Sequence, residues 1–127
     1  MTDRKIEIAK AFHAALVKRD WDRLRTLFVD DATWTLPGDN AISGRAVGID
    51  EVIARARKIA GYGLSFELVH VLVSRDNMAL SLHNTAERDG VVLDEHLATV
   101  CRLRGDRIAE IETYLSDVAG MNRFFAA

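Results

Sequence analysis

Apolar side chains near the N-terminus recur every three to four residues, at Ile6, Ala9, Phe12 or His13, and Leu16. That spacing predicts a helix from about 3 to 18 with one buried face, capped by Thr2 or Asp3. Asp20 can cap a second, short helix that turns Leu24, Leu27 and Phe28 inward before Asp30-Asp31 ends it. Ala32-Thr33-Trp34-Thr35-Leu36 alternates as a strand does, and Pro37-Gly38-Asp39-Asn40 then supplies turn chemistry, so a sharp corner follows Leu36. After a short extended piece near 42 to 47, Ile49, Val52, Ile53, Ala56 and Ile59 mark a third helix that Gly61 can close.

Beyond the third helix the period falls to two. Three turns, at Arg75-Asp76-Asn77, Arg88-Asp89-Gly90 and Arg104-Gly105-Asp106, divide the chain into strands of about 64 to 74, 78 to 88, 91 to 103 and 107 to 116. A short C-terminal helix follows, with Val118, Met121 and Phe124 or Phe125 as its apolar positions. Helices first and strands afterwards predict an α+β domain with helices on one face of an antiparallel sheet, and argue against a parallel one.

The turns also predict register. With Asp89-Gly90 as a two-residue loop, Arg88 faces Val91, which sets Leu80 opposite Thr99, Leu82 opposite Leu97, His83 opposite His96 and Asn84 opposite Glu95. A three-residue loop at Arg104-Gly105-Asp106 places Leu103 opposite Arg107, Thr99 opposite Ile111 and Leu97 opposite Thr113. The inward face then holds Leu80, Leu82, Leu97, Ile111 and Leu115, with Asn84, Glu95, Thr99 and Thr113 as polar exceptions. A mostly apolar surface with a few oriented polar groups suits a small-molecule cavity, whose wall Phe12, Leu16 and Trp34 can complete. A core also needs such a face, and threonine is ordinary in strands.

Composition narrows the class. The 127 residues fit a single domain, 1–127; 49% are hydrophobic, 28% charged, and the net charge is -2. Lys and Arg are scattered and balanced by carboxylates, so no basic stripe indicates nucleic-acid binding. No apolar run approaches the roughly 20 residues that span a bilayer, and the first residues lead into an amphipathic pattern, so a cytoplasmic protein without a membrane role is expected. Cys101 is the single cysteine, and no Cys/His spacing resembles a zinc site; neither a metal nor a cofactor is expected.

Two readings of the chemistry stay open. Glu95 on an apolar face would titrate high and could act as base or acid, with Asn84 orienting it and Thr99 and Thr113 donating to an oxyanion. Alternatively it is a solvated carboxylate at the rim. On the other face, His83, His96 and Tyr114 fall in one cross-strand row beside Glu110 and Glu112, as a histidine switch, a metal patch, or simply an exposed or subunit-facing surface. His13 and His70 fit satisfied positions at the core edge.

Several stretches carry a family resemblance: Phe12 to Leu16, Asp20-Trp21-Asp22 through Asp30-Asp31-Ala32-Thr33, the Trp34-to-Gly38 corner, Gly44 to Ile49, and Arg102 to Ile108. Over nearly its whole length the chain resembles the nuclear transport factor 2-like superfamily, closest to its SnoaL-like and ketosteroid-isomerase-like branch. The resemblance implies a cystatin-like fold, a strongly curved antiparallel sheet wrapped by N-terminal helices into a cone around an apolar pocket, and commonly a homodimer through the outer sheet face. It does not carry the best-known mechanism across. The ketosteroid isomerase tyrosine position falls on Phe12, the base on Leu36 and the protonated acid on Thr99, so the first two groups are absent and the third is weakened to a neutral, far less acidic donor. The arginine and two aspartates of limonene epoxide hydrolases would fall near Leu82, Asn84 and Thr113, leaving no carboxylate to activate water.

The resulting expectation is a pocket protein for a small apolar metabolite, contacted by Phe12, Leu16, Trp34, Leu36, Leu80, Leu82, Leu97, Thr99, Ile111 and Thr113. If it is an enzyme, Glu95 and Asn84 would carry proton transfer next to a carbonyl, as in an isomerase, cyclase or dehydratase. The alternatives are a non-catalytic binding domain and a dimeric interaction module.

Overall fold

A computed structural model describes residues 3–126. The element order is α1 (Arg4–Lys18), α2 (Trp21–Thr26), β1 (Phe28–Leu36), β2 (Gly44–Val47), α3 (Ile49–Ala60), β3 (Ser65–Val73), β4 (Asn77–Arg88), β5 (Val91–Arg104), β6 (Arg107–Leu115) and α4 (Val118–Phe124). The strands form one curved, unclosed six-stranded sheet in the order β2-β1-β6-β5-β4-β3, with the helices packed on it. The fold class is the expected α+β one.

Local chemistry explains the helix boundaries. Asp3 caps α1 by accepting from Lys5 N–H at 2.9 Å; the other candidate cap, Thr2, lies outside the described residues. Asp20 caps α2 through Arg23 N–H at 3.1 Å. Gly48 caps α3 without a side chain, and Asp50 and Glu51 in the first turn complement the helix dipole. Gly61 follows α3 as expected, but at φ -63° it stays right-handed, and the left-handed step falls to Gly63 at φ 76°.

Three sequence expectations change. First, Asp30-Asp31 does not end α2: the helix stops at Thr26 and both aspartates sit in β1, which starts at Phe28. Polar residues can stay in this strand because they are exposed, and Asp31 pairs with Arg104 of β5 at 2.8 Å. Second, the sheet is not purely antiparallel, because β1 runs parallel to β6, with Trp34 opposite Ile111. The chain joins β1 to β6 only after α3 and four strands, long enough for a parallel return.

Third, the β5–β6 register moves by two residues. Arg104 faces Arg107 across a two-residue loop, and an irregularity beyond Leu103 adds one more step, so Thr99 faces Thr113 and Leu97 faces Leu115. Tyr114 consequently faces Ala98 rather than joining the histidine row. Two shifts of one residue restore the original face, so Ile111 and Thr113 still point inward and are buried. The β4–β5 pairs all stand as expected from Arg88–Val91 to Leu80–Thr99. Their turn has φ 53° at Asp89 and 79° at Gly90, the left-handed pair that favours glycine.

The core fills the concave side. Phe12 of α1 meets Phe28 edge-on at 6.1 Å between ring centroids, and Ile8, Leu24, Leu80, Ile108 and Ile111 are buried around them. Burial of this kind contributes about 1.5–3 kcal/mol per large side chain. At the sheet corner, the half-buried Arg55 of α3 donates to the backbone carbonyls of Trp34 at 2.6 Å and Gly44 at 3.0 Å. It thereby joins α3 to both strands of the β1–β2 hairpin, and desolvation lowers its pKa.

Candidate functional site: an apolar cleft with one unpartnered amide

At the open end of the curved sheet the core is incomplete. Phe12 and Leu16 of α1 form one wall of a cleft, Trp34 and Leu36 of β1 another, and Leu82, Leu97 and Thr99 its floor. Ile59, Leu64 and Phe66 close the side next to β3, while Met121 and Phe125 from the C-terminal segment and Ile42 close the other. Facing side chains keep the cleft narrow, with a cavity volume of about 40 Å³.

Two polar groups on this surface have different surroundings. Thr113 is buried and its Oγ1 accepts the Trp34 Nε1–H at 3.0 Å. That bond fixes the indole plane against the cleft and leaves the threonine proton free to be donated elsewhere. Asn84 is 5% exposed, lines the cleft, and its Oδ1 has no hydrogen-bond partner. A buried carbonyl oxygen without a donor costs roughly 1–3 kcal/mol. A ligand donor in the cleft would remove that cost.

The cross-strand neighbour of Asn84, Glu95, is only 1% exposed, so it is not a solvated rim carboxylate. Neither does it line the cleft. Its Oε1 accepts the Asp117 N–H at 2.7 Å and the Ser116 hydroxyl at 3.3 Å, which pins the chain entering α4. Burial raises its pKa above the ordinary 4.5, and those two donors oppose the rise. Asp117 in turn caps α4 through Gly120 N–H at 2.9 Å. Glu95 therefore holds in place the segment that brings Met121 and Phe125 to the cleft.

Of the residues singled out from the sequence, Phe12, Leu16, Trp34, Leu36, Leu82, Asn84, Leu97, Thr99 and Thr113 meet at the cleft. Leu80 and Ile111 are fully buried in the core and do not reach it. Ile42, Ile59, Leu64, Phe66, Met121 and Phe125 line it without having been singled out. Phe66 had a usable signal in the β3–β4 pairing, where it faces Asn84; Met121 and Phe125 had one in the apolar stripe of the C-terminal helix. Among the described residues, no lining side chain is an acid, a base or a thiol. Cys101 is buried elsewhere, with its thiol pushed up to about 12 by desolvation.

A curved sheet, an apolar interior and this helix arrangement find their counterpart in known proteins. The SnoaL-like domain model matches residues 9–111, and the chain belongs to that family; its fold is that of nuclear transport factor 2-like proteins. An uncharacterized protein of Mycobacterium tuberculosis is 27% identical over 128 residues, covering 98% of both chains. The solved structure of Bal32a, from a soil-derived mobile gene cassette, superposes with a TM-score of 0.92 at 28% identity over 96% of each chain. A putative isomerase from Rhodopseudomonas palustris shares the fold at a TM-score of 0.77, with 19% identity over 97% of each chain. Such a fold does not by itself define a ligand or a reaction, which depend on the cleft.

Proposed function

We propose that this protein binds a small, flat, largely apolar metabolite in the cleft and recognises a hydroxyl or N–H donor on it through Asn84 Oδ1. The observation that carries this reading is the unpartnered, buried Asn84 Oδ1 in a wall whose other polar side chains are Thr99 and Thr113. Thr113, oriented by Trp34, supplies a complementary donor to a carbonyl or ether oxygen of the same molecule. The absence of any titratable side chain from the wall, among the described residues, favours holding the ligand over transforming it. Binding of naphthol, a flat molecule with one hydroxyl, and of its methyl ether to wild type and Asn84→Leu tests the recognition. Stronger binding of naphthol that depends on Asn84 supports it.

The burial of Glu95 beside Asn84 favours one second reading, proton transfer next to a carbonyl. It requires the carboxyl to leave Asp117 and reach the ligand. Turnover of a candidate ketone that Glu95→Gln abolishes, with binding retained, would select this reading; ketone binding without turnover in wild type selects the first.

The exposed outer sheet face, with Leu72, Val92 and Tyr114 more than half exposed, supports pairing with a second copy of the chain. Sedimentation of wild type against Val92→Lys/Tyr114→Glu tests that association. A wild-type dimer that the substitutions split supports the pairing, while unchanged sedimentation removes this face from it.

A further inference from the structure

On the side of the sheet away from the cleft, three strands bring imidazoles and carboxylates together. His83 of β4 stands opposite His96 of β5 and Glu67 of β3. The two imidazoles are stacked, with centroids 4.3 Å apart and planes 6° from parallel. Asp94, two residues before His96 and so on the same face, has Oδ1 2.5 Å from His83 Nε2. The far nitrogen of His83, Nδ1, lies 3.5 Å from Glu67 Oε1. One ligand atom from each of His83, Asp94 and His96 lies within 4.8 Å of the others.

We infer that His83, His96 and Asp94 form a site for a borderline divalent transition-metal ion, with Zn²⁺ as its first candidate. Strand pairing has already brought the two histidines side by side, so their parallel rings can each turn a nitrogen toward one ion. For Zn–N distances of about 2.0–2.1 Å, tetrahedral ligand atoms stand roughly 3.3 Å apart. His83 is half-buried and Asp94 and His96 are exposed, so their side chains have room to close from within 4.8 Å to that spacing.

The donor set selects the class of ion. Two imidazoles and one carboxylate suit Zn²⁺, Ni²⁺ or Cu²⁺, whereas Mg²⁺ and Ca²⁺ prefer oxygen ligands throughout. Metal binding displaces the proton that His83 Nε2 shares with Asp94 and releases it to solvent. Glu67 stays outside the coordination sphere and accepts Nδ1–H, the usual carboxylate arrangement behind a metal-bound histidine. Three protein ligands leave a fourth position for water or for a ligand from another molecule. Of the readings the sequence left open for this row, a metal patch is thus taken over a histidine switch or an ordinary surface, and the site is independent of the cleft on the opposite face.

The test is calorimetric titration of the full chain, stripped of metal by a chelator, with Zn²⁺ alone at neutral pH. Wild type is expected to bind one ion per chain or one shared by two chains, at least tenfold more tightly than His83→Gln/His96→Gln. Asp94→Asn should weaken binding severalfold. His70→Gln removes an exposed histidine of the same face outside the cluster and should leave binding unchanged. With Co²⁺ in place of Zn²⁺, visible absorption bands should appear in wild type and vanish in the double variant, while circular dichroism melts verify that each variant is folded. Equal Zn²⁺ affinity in wild type and the double variant overturns the assignment, as does an equal loss in His70→Gln.

Discussion

At the scale of single residues, Asn84 and Glu95 face each other across β4 and β5 yet do opposite things. Asn84 keeps an oxygen without a partner, a state that costs stability and is relieved by a ligand; Glu95 uses its carboxylate to hold Ser116 and Asp117. Replacing Asn84 with leucine removes the unpartnered group while keeping the volume, so Asn84→Leu should leave stability unchanged or raise it by about 1 kcal/mol in urea unfolding. Glu95→Ala should cost about 1–3 kcal/mol by depriving the Asp117 N–H of its acceptor. The pH dependence has a definite sign. Because the Glu95 pKa is raised in the folded chain, folding favours its protonated form, so its contribution is full below the unfolded value and is lost as pH rises through the folded value. Glu95→Gln should flatten stability against pH in the window starting near the ordinary value of 4.5, as measured by urea unfolding at stepped pH. A slope unchanged in the variant would assign the dependence to other groups.

At the scale of elements, turns and pairing decide what the side chains can meet. The β4–β5 register was legible because Asp89-Gly90 admits a two-residue turn with both residues left-handed, and that alone set Asn84 opposite Glu95. Gly90→Val should therefore destabilise the hairpin by about 1–2 kcal/mol, read as a fall in the urea midpoint. The β5–β6 register was not legible, since the Gly105 turn admits loops of two or three residues and a bulge within a strand has no turn residue to announce it; two single steps together preserved the inward face and kept Ile111 and Thr113 buried. The parallel β1–β6 pair was equally hidden, because hydrophobic alternation reports a buried face and not strand direction. Long-range carbonyl contacts were hidden for the same reason. Arg55 read as one more charge on α3, yet it bonds Trp34 and Gly44, so Arg55→Ala should cost about 1–3 kcal/mol and loosen the Trp34 side of the cleft.

At the scale of the whole molecule, the curved sheet separates two chemistries. Its concave side, closed by α1, α3 and the C-terminal segment, leaves an apolar cleft; its convex side carries His83, His96, Asp94 and exposed apolar groups. The cleft could be anticipated from the sequence through the inward set on β4 and β5. The apolar pattern of the C-terminal segment marked Met121 and Phe125 as inward-facing, but their arrival at the cleft was not legible, because it depends on Glu95 holding Asp117 across 22 residues of chain. Among the described residues, no helix is long and apolar enough to cross a membrane. The most direct measurement is the difference in calorimetric affinity between naphthol and its methyl ether for wild type and Asn84→Leu. Wild type should prefer naphthol by about fivefold, the worth of one hydrogen bond of about 1 kcal/mol, and Asn84→Leu should lose that preference while still binding the ether. An equal preference for naphthol in both proteins, or none in wild type, would contradict recognition through Asn84.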